Sequence, residues 1–345
     1  MRIQFPPSIT YFVMPMGLIG TGLNARHLME VFNLQIDIAI ELLIYGWLSF
    51  VILMFHYLWN LSKRQQRGAL IDEWYDPFRR SFLPAISLTT ILFIVSIAQV
   101  FEFNHYPNQY WLLLPLLFVA SLHFLLNIFL INGWLFDEKL TLNQHKPTWY
   151  ILLSGNFIIV IALNTEFIVM QASLLYEISM FFYSISLFLW IVFSTSLFYR
   201  LIFNTHLQIS LRPSLFIFLA PSSLACLASL LLSEDFLTEG VVTQSSVGII
   251  TWISFSFATM MLMAWLISYR FFMSSGLSMA GWSFVYPLAA YGLALQYLAQ
   301  ALHSSILMAI SVMVFLAIIL LILLLTFWLI KLSLYSVAPK VQRAE

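Results

Sequence analysis

Charge is scarce in this sequence, and its scarcity excludes most classes of protein. Only 9% of the 345 residues are charged, while 61% are hydrophobic and the mean hydropathy is +0.92. A soluble domain carries about 25% charged residues, so a chain this apolar could not keep its surface in water. The sequence therefore predicts an integral membrane protein.

The sequence also has only one cysteine and no net charge. The one cysteine, Cys226, excludes a disulfide framework and any metal site built from several cysteines. The 15 lysines and arginines balance 15 acidic residues, so no nucleic-acid partner is expected. The seven histidines are scattered without metal-binding spacing, and no catalytic constellation is recognisable. We therefore expect no metal, no cofactor and no enzyme activity.

Long apolar segments are abundant instead. A membrane-spanning helix needs about 20 mostly apolar residues. The longest hydrophilic stretch between such segments is about 18 residues, so we interpret 1–345 as a single transmembrane domain. The beginning of the chain shows no cleavage pattern, and the first segment is expected to be retained. Ten candidate spans lie at 8–29, 37–60, 79–101, 109–132, 147–166, 174–202, 212–233, 245–270, 278–302 and 304–331.

The placement of lysine and arginine predicts the orientation. Nearly all of them lie near the two termini or in the loops that follow even-numbered segments. Because cytoplasmic loops are enriched in these residues, both termini are predicted to be cytoplasmic. Arg26 alone falls on the other side. It either attracts anions to an outer vestibule or pairs with Glu30 one helical turn along.

A proline or glycine recurs in every odd-numbered segment at a spacing of 66 to 71 residues. This recurrence predicts a helical hairpin repeated in tandem at 8–60, 79–132, 147–202, 212–270 and 278–331. Equivalent hairpins in one orientation suit a quasi-five-fold ring around a central pore, with the odd segments lining the axis. The alternative is that proline is simply common in membrane helices. The predicted kink and pore-lining positions are Pro15, Gly17, Pro84, Gly155, Pro221 and Pro287.

The odd segments carry almost no charge in their central parts. A cation pathway usually shows acidic residues and a proton relay shows intramembrane ionisable groups, so a neutral passage favours small anions. Ionisable groups lie on even segments instead, namely Glu41, His56 and His123. They serve either as hydrogen-bonding partners between hairpins or as a proton-coupling site. Possible polar contacts in the pore are Thr21, Ser87, Ser154, Asn156 and Ser222.

Three stretches carry a resemblance to a known family: FVMPMG (12–17), LRPSLFIFLAPSSLACLA (211–228) and GWSFVYPLAAYGLAL (281–295). The chain resembles the tellurite-resistance/dicarboxylate transporter family, which includes bacterial TehA-like proteins, yeast malate permeases and sulfite efflux pumps, and plant slow anion channels. The resemblance implies an all-α membrane bundle of ten helices around a central pore, assembled as a homotrimer. For a TehA-like protein it also implies the bacterial inner membrane.

The resemblance further implies an aromatic gate on the ninth span. In plant-like members a phenylalanine directly precedes the proline of that span, whereas this sequence has Tyr286 before Pro287 and Phe284 two residues earlier. Residues two apart on a helix point about 200° apart, so only one of the two can face the axis. The position next to Pro287 favours Tyr286. Both aromatic residues could also serve packing alone.

Two functions remain open from the sequence, and a third, an intramembrane enzyme, would need a polar cluster at one depth that the sequence lacks. The first is an anion channel or facilitator with an aromatic gate. The second is a proton-coupled secondary transporter or exporter for a C4-dicarboxylate such as malate, or for sulfite. The transported anion is not specified by any residue pattern.

Overall fold

The computed structural model describes residues 8–34, 38–103, 110–165, 173–204, 207–233, 237 and 241–337. Every regular element among them is helical. Short helices at Arg64–Tyr75, Pro77–Arg80 and Tyr269–Met273 lie between the long ones. The long helices are α1 (Val13–Phe32), α2 (Ile38–Ser62), α3 (Leu83–Phe103), α4 (Tyr110–Leu135), α5 (Tyr150–Thr165), α6 (Ser173–Phe203), α7 (Leu219–Leu231), α8 (Ile249–Ile267), α9 (Val285–Ala301) and α10 (Ser305–Val337).

Eight helical segments of the described chain are long and apolar enough to cross a membrane. The ten predicted spans each correspond to a helix, but α1 and α9 do not meet this criterion. α1 carries Arg26 and Glu30, and α9 has only 17 residues. Both helices are mostly buried against protein, and a helix that does not face lipid need not be uniformly apolar.

The helices form a buried layer and an exposed layer. Along the most apolar stretches of the segments containing α3, α5 and α7, 72% to 94% of residues are buried, against 17% to 33% for the even-numbered helices. We call α1, α3, α5, α7 and α9 the inner helices and the even-numbered ones the outer helices. The outer helices expose large apolar side chains such as Ile52, Phe55, Leu316 and Phe327, as lipid-facing surfaces do.

Helix contacts follow a regular order. Each outer helix packs on the inner helix that precedes it in the chain. Among the inner helices, α1 contacts α3, α3 contacts α5, α5 contacts α7, α7 contacts α9, and α9 contacts α1. Each inner helix therefore has two inner neighbours, and the chain of contacts returns to its start.

The recurring prolines lie in the first turn of their helices. Pro15, Pro221 and Pro287 are the third residues of α1, α7 and α9, and Pro84 is the second residue of α3. Proline is tolerated there because the first backbone N–H groups of a helix have no partner inside it. The prolines thus mark where an α-helix begins. Three of these helices follow 3₁₀ segments, at Ile9–Phe12, Ile209–Phe218 and Met279–Phe284.

Gly155, the predicted kink position of the third repeat, is closely approached by a side chain of α4. It lies inside the continuous helix α5, which shows no break at this position. A Cβ atom on Gly155 would collide with the ring of His123, which α4 projects onto α5. Glycine at this position therefore admits the close approach of His123.

Candidate permeation pathway

One small cavity is shared by all the inner helices. It has a volume of about 80 Å³, and side chains from α1, α3, α5, α7 and α9 line it. Such a space is large enough for a small ion or for several water molecules. Its lining residues are Leu23, His27, Glu30, Leu92, Val95, Gln99, Ile158, Ile161, Thr165, Leu227, Leu293 and Tyr297.

Each inner helix contributes an aliphatic residue to the wall of this cavity. These residues recur at intervals of 66 to 69, which matches the spacing of the repeat. An apolar wall holds water weakly and can restrict ion passage by dewetting. The residues are Leu23, Leu92, Ile158, Leu227 and Leu293. The sequence analysis missed this layer because aliphatic residues abound on every face of these helices.

Polar groups gather where the cavity approaches the C-terminal ends of α1 and α9. The ring of His27 stacks on Tyr297, with 4.2 Å between the ring centroids, and its Nε2 lies 3.3 Å from Gln300 Oε1. Arg26 Nε donates to Glu30 Oε1 at 3.2 Å, so of the two roles left open for Arg26 the pairing is the one observed. Glu30 and His27 both line the cavity.

Tyr286 lies on the same face of α9 as Leu293, which lines the cavity. It precedes Leu293 by seven residues, which on a helix is almost two full turns and about 10 Å. Its side chain is buried, and a Cβ atom on Gly20 of α1 would lie 3.2 Å from its ring. The Tyr286 hydroxyl has no hydrogen-bond partner among the described residues. The ring thus packs between α1 and α9, with an unpaired O–H group.

Phe284 lies in different surroundings. Its ring packs edge-on against Phe216, at 4.4 Å between centroids, and against Phe272, at 6.1 Å. These residues belong to a separate apolar cluster that joins α7, α8 and α9. Neither Phe284 nor Tyr286 is among the residues of the cavity wall, so only their packing contacts distinguish them. The two aromatic residues that the sequence could not separate therefore occupy different sites.

Two predicted polar pore contacts bond to outer helix α4. Ser87 Oγ lies 2.7 Å from His123 Nδ1, and His123 Nε2 lies 3.0 Å from the Leu152 carbonyl oxygen. Asn127 Nδ2 donates to Asn156 Oδ1 at 2.6 Å. His123 is thereby satisfied by hydrogen bonds to α3 and α5, which was one of its two predicted roles.

The other three predicted polar contacts bond within their own helices. A serine or threonine hydroxyl can donate to a carbonyl oxygen three or four residues earlier. None of these three side chains appears in the cavity wall. Their bonds are Thr21 to Gly17 at 2.8 Å, Ser154 to Tyr150 at 2.9 Å, and Ser222 to Leu219 at 2.9 Å.

The contact between α1 and α9 depends on two features. A Cβ atom on Gly17 would come within 2.9 Å of Val285, so glycine permits the two backbones to approach. Asn24 Nδ2 donates to the Ala289 carbonyl oxygen at 2.9 Å, and Gln296 Nε2 donates to Asn24 Oδ1 at 3.0 Å. These bonds join the first and last inner helices. Gln296 lies 272 residues from Asn24 in the chain, so the sequence gives no sign of this contact.

The remaining ionisable candidates lie away from the cavity. Glu41 is exposed in the first turn of α2, and His56 is half-buried further along the same helix. Neither contributes to the cavity wall. Among the described residues, no group of three or more histidine, cysteine, aspartate or glutamate side chains could hold a metal ion.

Apolar outer helices, a buried inner layer and a cavity shared by the inner helices define a multi-pass membrane protein of the channel or transporter class. Residues 4–330 match the family described as voltage-dependent anion channel. The chain belongs to this family, which confirms the resemblance to the plant slow anion channels and their relatives. A comparison with curated proteins gives no match.

Membership of this family supports transport of anions across a membrane. A family of channels moves ions rather than converting substrates, so it also supports the expectation that the chain is not an enzyme. The apolar outer helices independently indicate an integral membrane protein.

Proposed function

We propose that the chain conducts small anions along an axis enclosed by the inner helices, with Tyr286 as the gate. The observation that carries this proposal is the cavity to which α1, α3, α5, α7 and α9 all contribute. The order of inner contacts, in which α9 returns to α1, supports five tandem hairpins in a ring. Ten membrane crossings follow, with each outer helix shielding its inner partner from lipid.

The chemistry of the cavity supports an anion as the permeating species. Its aliphatic layer carries no charge that would attract a cation, and Glu30, the carboxylate in the cavity wall, is paired with Arg26. Almost two turns along α9 from that layer, the Tyr286 hydroxyl has no partner among the described residues, and a hydroxyl can donate a hydrogen bond to an anion. In the proposed gate, the Tyr286 ring closes the passage by packing against α1 beside Gly20.

The test is flux through the purified protein in liposomes. We expect Tyr286→Ala to raise chloride and nitrate flux about tenfold or more, because a barrier lowered by about 1.4 kcal/mol gives a tenfold rate. Tyr286→Phe keeps the ring and should stay nearly closed. Phe284→Ala is the matched aromatic control, because Phe284 packs on Phe216 outside the cavity, and it should leave flux unchanged.

Equal flux from Tyr286→Ala and the unchanged protein would contradict the gate. A rise produced by Phe284→Ala alone would place the gate at Phe284. Each variant must first give the same elution volume as the unchanged protein, because loss of a buried aromatic ring destabilises by about 3–5 kcal/mol.

Proton-coupled transport of a dicarboxylate or of sulfite is the second candidate. One observation favours it: His27 and Glu30 are ionisable and line the cavity. Coupling would then use these residues rather than Glu41 or His56. Malate or sulfite flux should rise when a pH gradient is imposed, and His27→Gln should abolish that rise. If malate and sulfite flux is the same with and without the pH gradient, proton coupling is excluded and the channel is the remaining candidate.

The proposal also covers the membrane in which the protein lies and its oligomeric state. Resemblance to TehA-like proteins supports a bacterial inner-membrane location and a homotrimer, and the charge distribution supports cytoplasmic termini. The terminal cations that support this orientation, Arg2, Lys340 and Arg343, lie outside the described residues. Mass measurement in nanodiscs tests the trimer, because a monomer would give one third of the expected mass.

A further inference from the structure

A buried arginine without an acidic partner lies near the end of α6. The Arg200 side chain is only 2% exposed, and its Nε and Nη1 atoms have no hydrogen-bond partner among the described residues. None of the ion pairs in the described chain includes Arg200. A guanidinium stays charged at all ordinary pH values, so an unpaired one is costly to bury. Nε and Nη1 of Arg200 therefore require a hydrogen-bond acceptor that no described residue supplies.

The loop before α5 adds further donors beside Arg200. His145 Nδ1 lies 3.0 Å from Ser196 Oγ on α6, while His145 Nε2 is buried without a partner. Lys146 is the next residue along. Ser196 precedes Arg200 by one turn of α6, so His145 lies against the same face of α6 as Arg200. Burial first and the Arg200 charge second lower the pKa values of both His145 and Lys146. With Nδ1 accepting from Ser196, the neutral ring carries its hydrogen on Nε2 and can donate it.

We propose that Arg200, His145 and Lys146 form a binding site for a phosphate group. The planar guanidinium matches two phosphate oxygens at once, and the imidazole and ammonium groups supply further donors around the same anion. Arg200 and Lys146 carry positive charge and His145 Nε2 can donate, and no described carboxylate pairs with Arg200, so these groups suit an anion and not a cation.

The position of the site suits a phosphate at the membrane edge. Arg200 lies three residues before α6 ends, and its neighbours Tyr199 and Phe203 expose their rings outward. Basic pockets between membrane helices at this depth bind lipid headgroups. The phosphate belongs either to an anionic lipid or to free inorganic phosphate, and both sources present the same oxygens to Arg200.

The test measures the unfolding temperature of the full chain in detergent by tryptophan fluorescence. One arm adds sodium phosphate against sodium chloride at equal ionic strength. The other adds phosphatidylglycerol against phosphatidylcholine in mixed micelles. We expect one arm to raise the midpoint of the unchanged protein by about 4 °C or more at saturation. Arg200→Gln should bind the same probe at least about tenfold more weakly, because a charge-assisted hydrogen bond is lost.

Arg270→Gln is the matched control, because Arg270 is exposed, and it should respond as the unchanged protein does. Without added phosphate, Arg200→Gln should be at least as stable as the unchanged protein, since it removes a buried unpaired charge. If Arg200→Gln does not fold, Arg200→Lys keeps the charge and should bind more weakly. A response to phosphate alone identifies the free anion, and one to phosphatidylglycerol alone identifies a lipid. No stabilisation of the unchanged protein by either probe, or equal stabilisation of Arg200→Gln, would overturn the proposal.

Discussion

At the scale of single residues, Gly155 is where the outer layer reaches into the inner one. His123 of α4 crosses to α5, where its ring lies against Gly155, and it bonds both Ser87 and the Leu152 carbonyl oxygen. A polar side chain between two apolar layers is stable only when both of its nitrogens find partners. Glycine provides the space that these two bonds require.

Substituting Gly155 should therefore destabilise the protein. Gly155→Ala places a methyl group against the His123 ring, and overpacking of this kind costs about 1–3 kcal/mol. The unfolding temperature in detergent measures the effect. Gly68→Ala is the matched control, because a Cβ atom there meets nothing within 4 Å. If both variants keep the midpoint of the unchanged protein, the His123 contact does not hold α4 in place.

Residue roles were the least predictable part of the site. Serine, threonine and asparagine were expected to face the pore because polar groups are rare in these helices. Ser87 and Asn156 instead bond α4, and Thr21 bonds its own helix. A hydroxyl or amide in a membrane helix can satisfy itself in any of these ways, so its type does not reveal its direction. Tyr286 could be separated from Phe284 only by their contacts in space.

At the scale of elements, the loop 136–149 is held against the helices by aromatic packing. Trp149 stacks on Trp134 with 3.8 Å between ring centroids, and the buried ring of His145 packs against Trp149 and Phe193. His145 also bonds Ser196 on α6. The loop thus packs against both α4 and α6, near the N-terminal end of α5.

This packing makes stability depend on pH. Burial, and to a lesser extent the Arg200 charge, lowers the pKa of His145 from its ordinary value of 6.5 to about 4. On acidification the unfolded chain takes up the proton first, so stability is unaffected above pH 6.5 and falls between pH 6.5 and 4. The loss is at most about 1.4 kcal/mol per pH unit.

The unfolding temperature measured across pH 4 to 8 tests this dependence. His145→Gln should flatten the slope below pH 6.5. His303→Asn, which changes an exposed histidine in a left-handed conformation that asparagine tolerates, should leave it unchanged. Identical slopes for His145→Gln and the unchanged protein would show that His145 is not held neutral by the fold.

The helices themselves were largely predictable. Long apolar runs located all ten, and the recurring proline or glycine identified the odd-numbered helices as the buried ones. The backbone geometry at the prolines was harder to predict. Pro221, for instance, lies where a 3₁₀ segment becomes α7 and not in the middle of a bent helix. Sequence spacing records that a position recurs, while the backbone geometry at that position depends on the neighbouring helices.

At the scale of the whole molecule, the proposed permeation depends on a passage that the inner helices enclose. The outer helices present apolar side chains outward, and the inner helices contact one another in a returning order. Asn24 joins the first inner helix to the last through Ala289 and Gln296. A passage inside such a bundle is shielded from lipid by two layers of protein, so the residues that face it should be reachable from water and not from the membrane.

The most direct test of this claim is block of flux by a thiol reagent at neighbouring positions of α5. Ile158 lines the shared cavity, whereas Ile159 is buried elsewhere, and the native Cys226 is buried as well. Each cysteine substitution is combined with Tyr286→Ala, and the double variants are reconstituted in liposomes. A charged, membrane-impermeant methanethiosulfonate should stop chloride flux through the variant with Ile158→Cys. The same reagent should leave flux through the variant with Ile159→Cys unchanged. Continued flux through the modified Ile158→Cys protein would mean that anions do not pass between the inner helices.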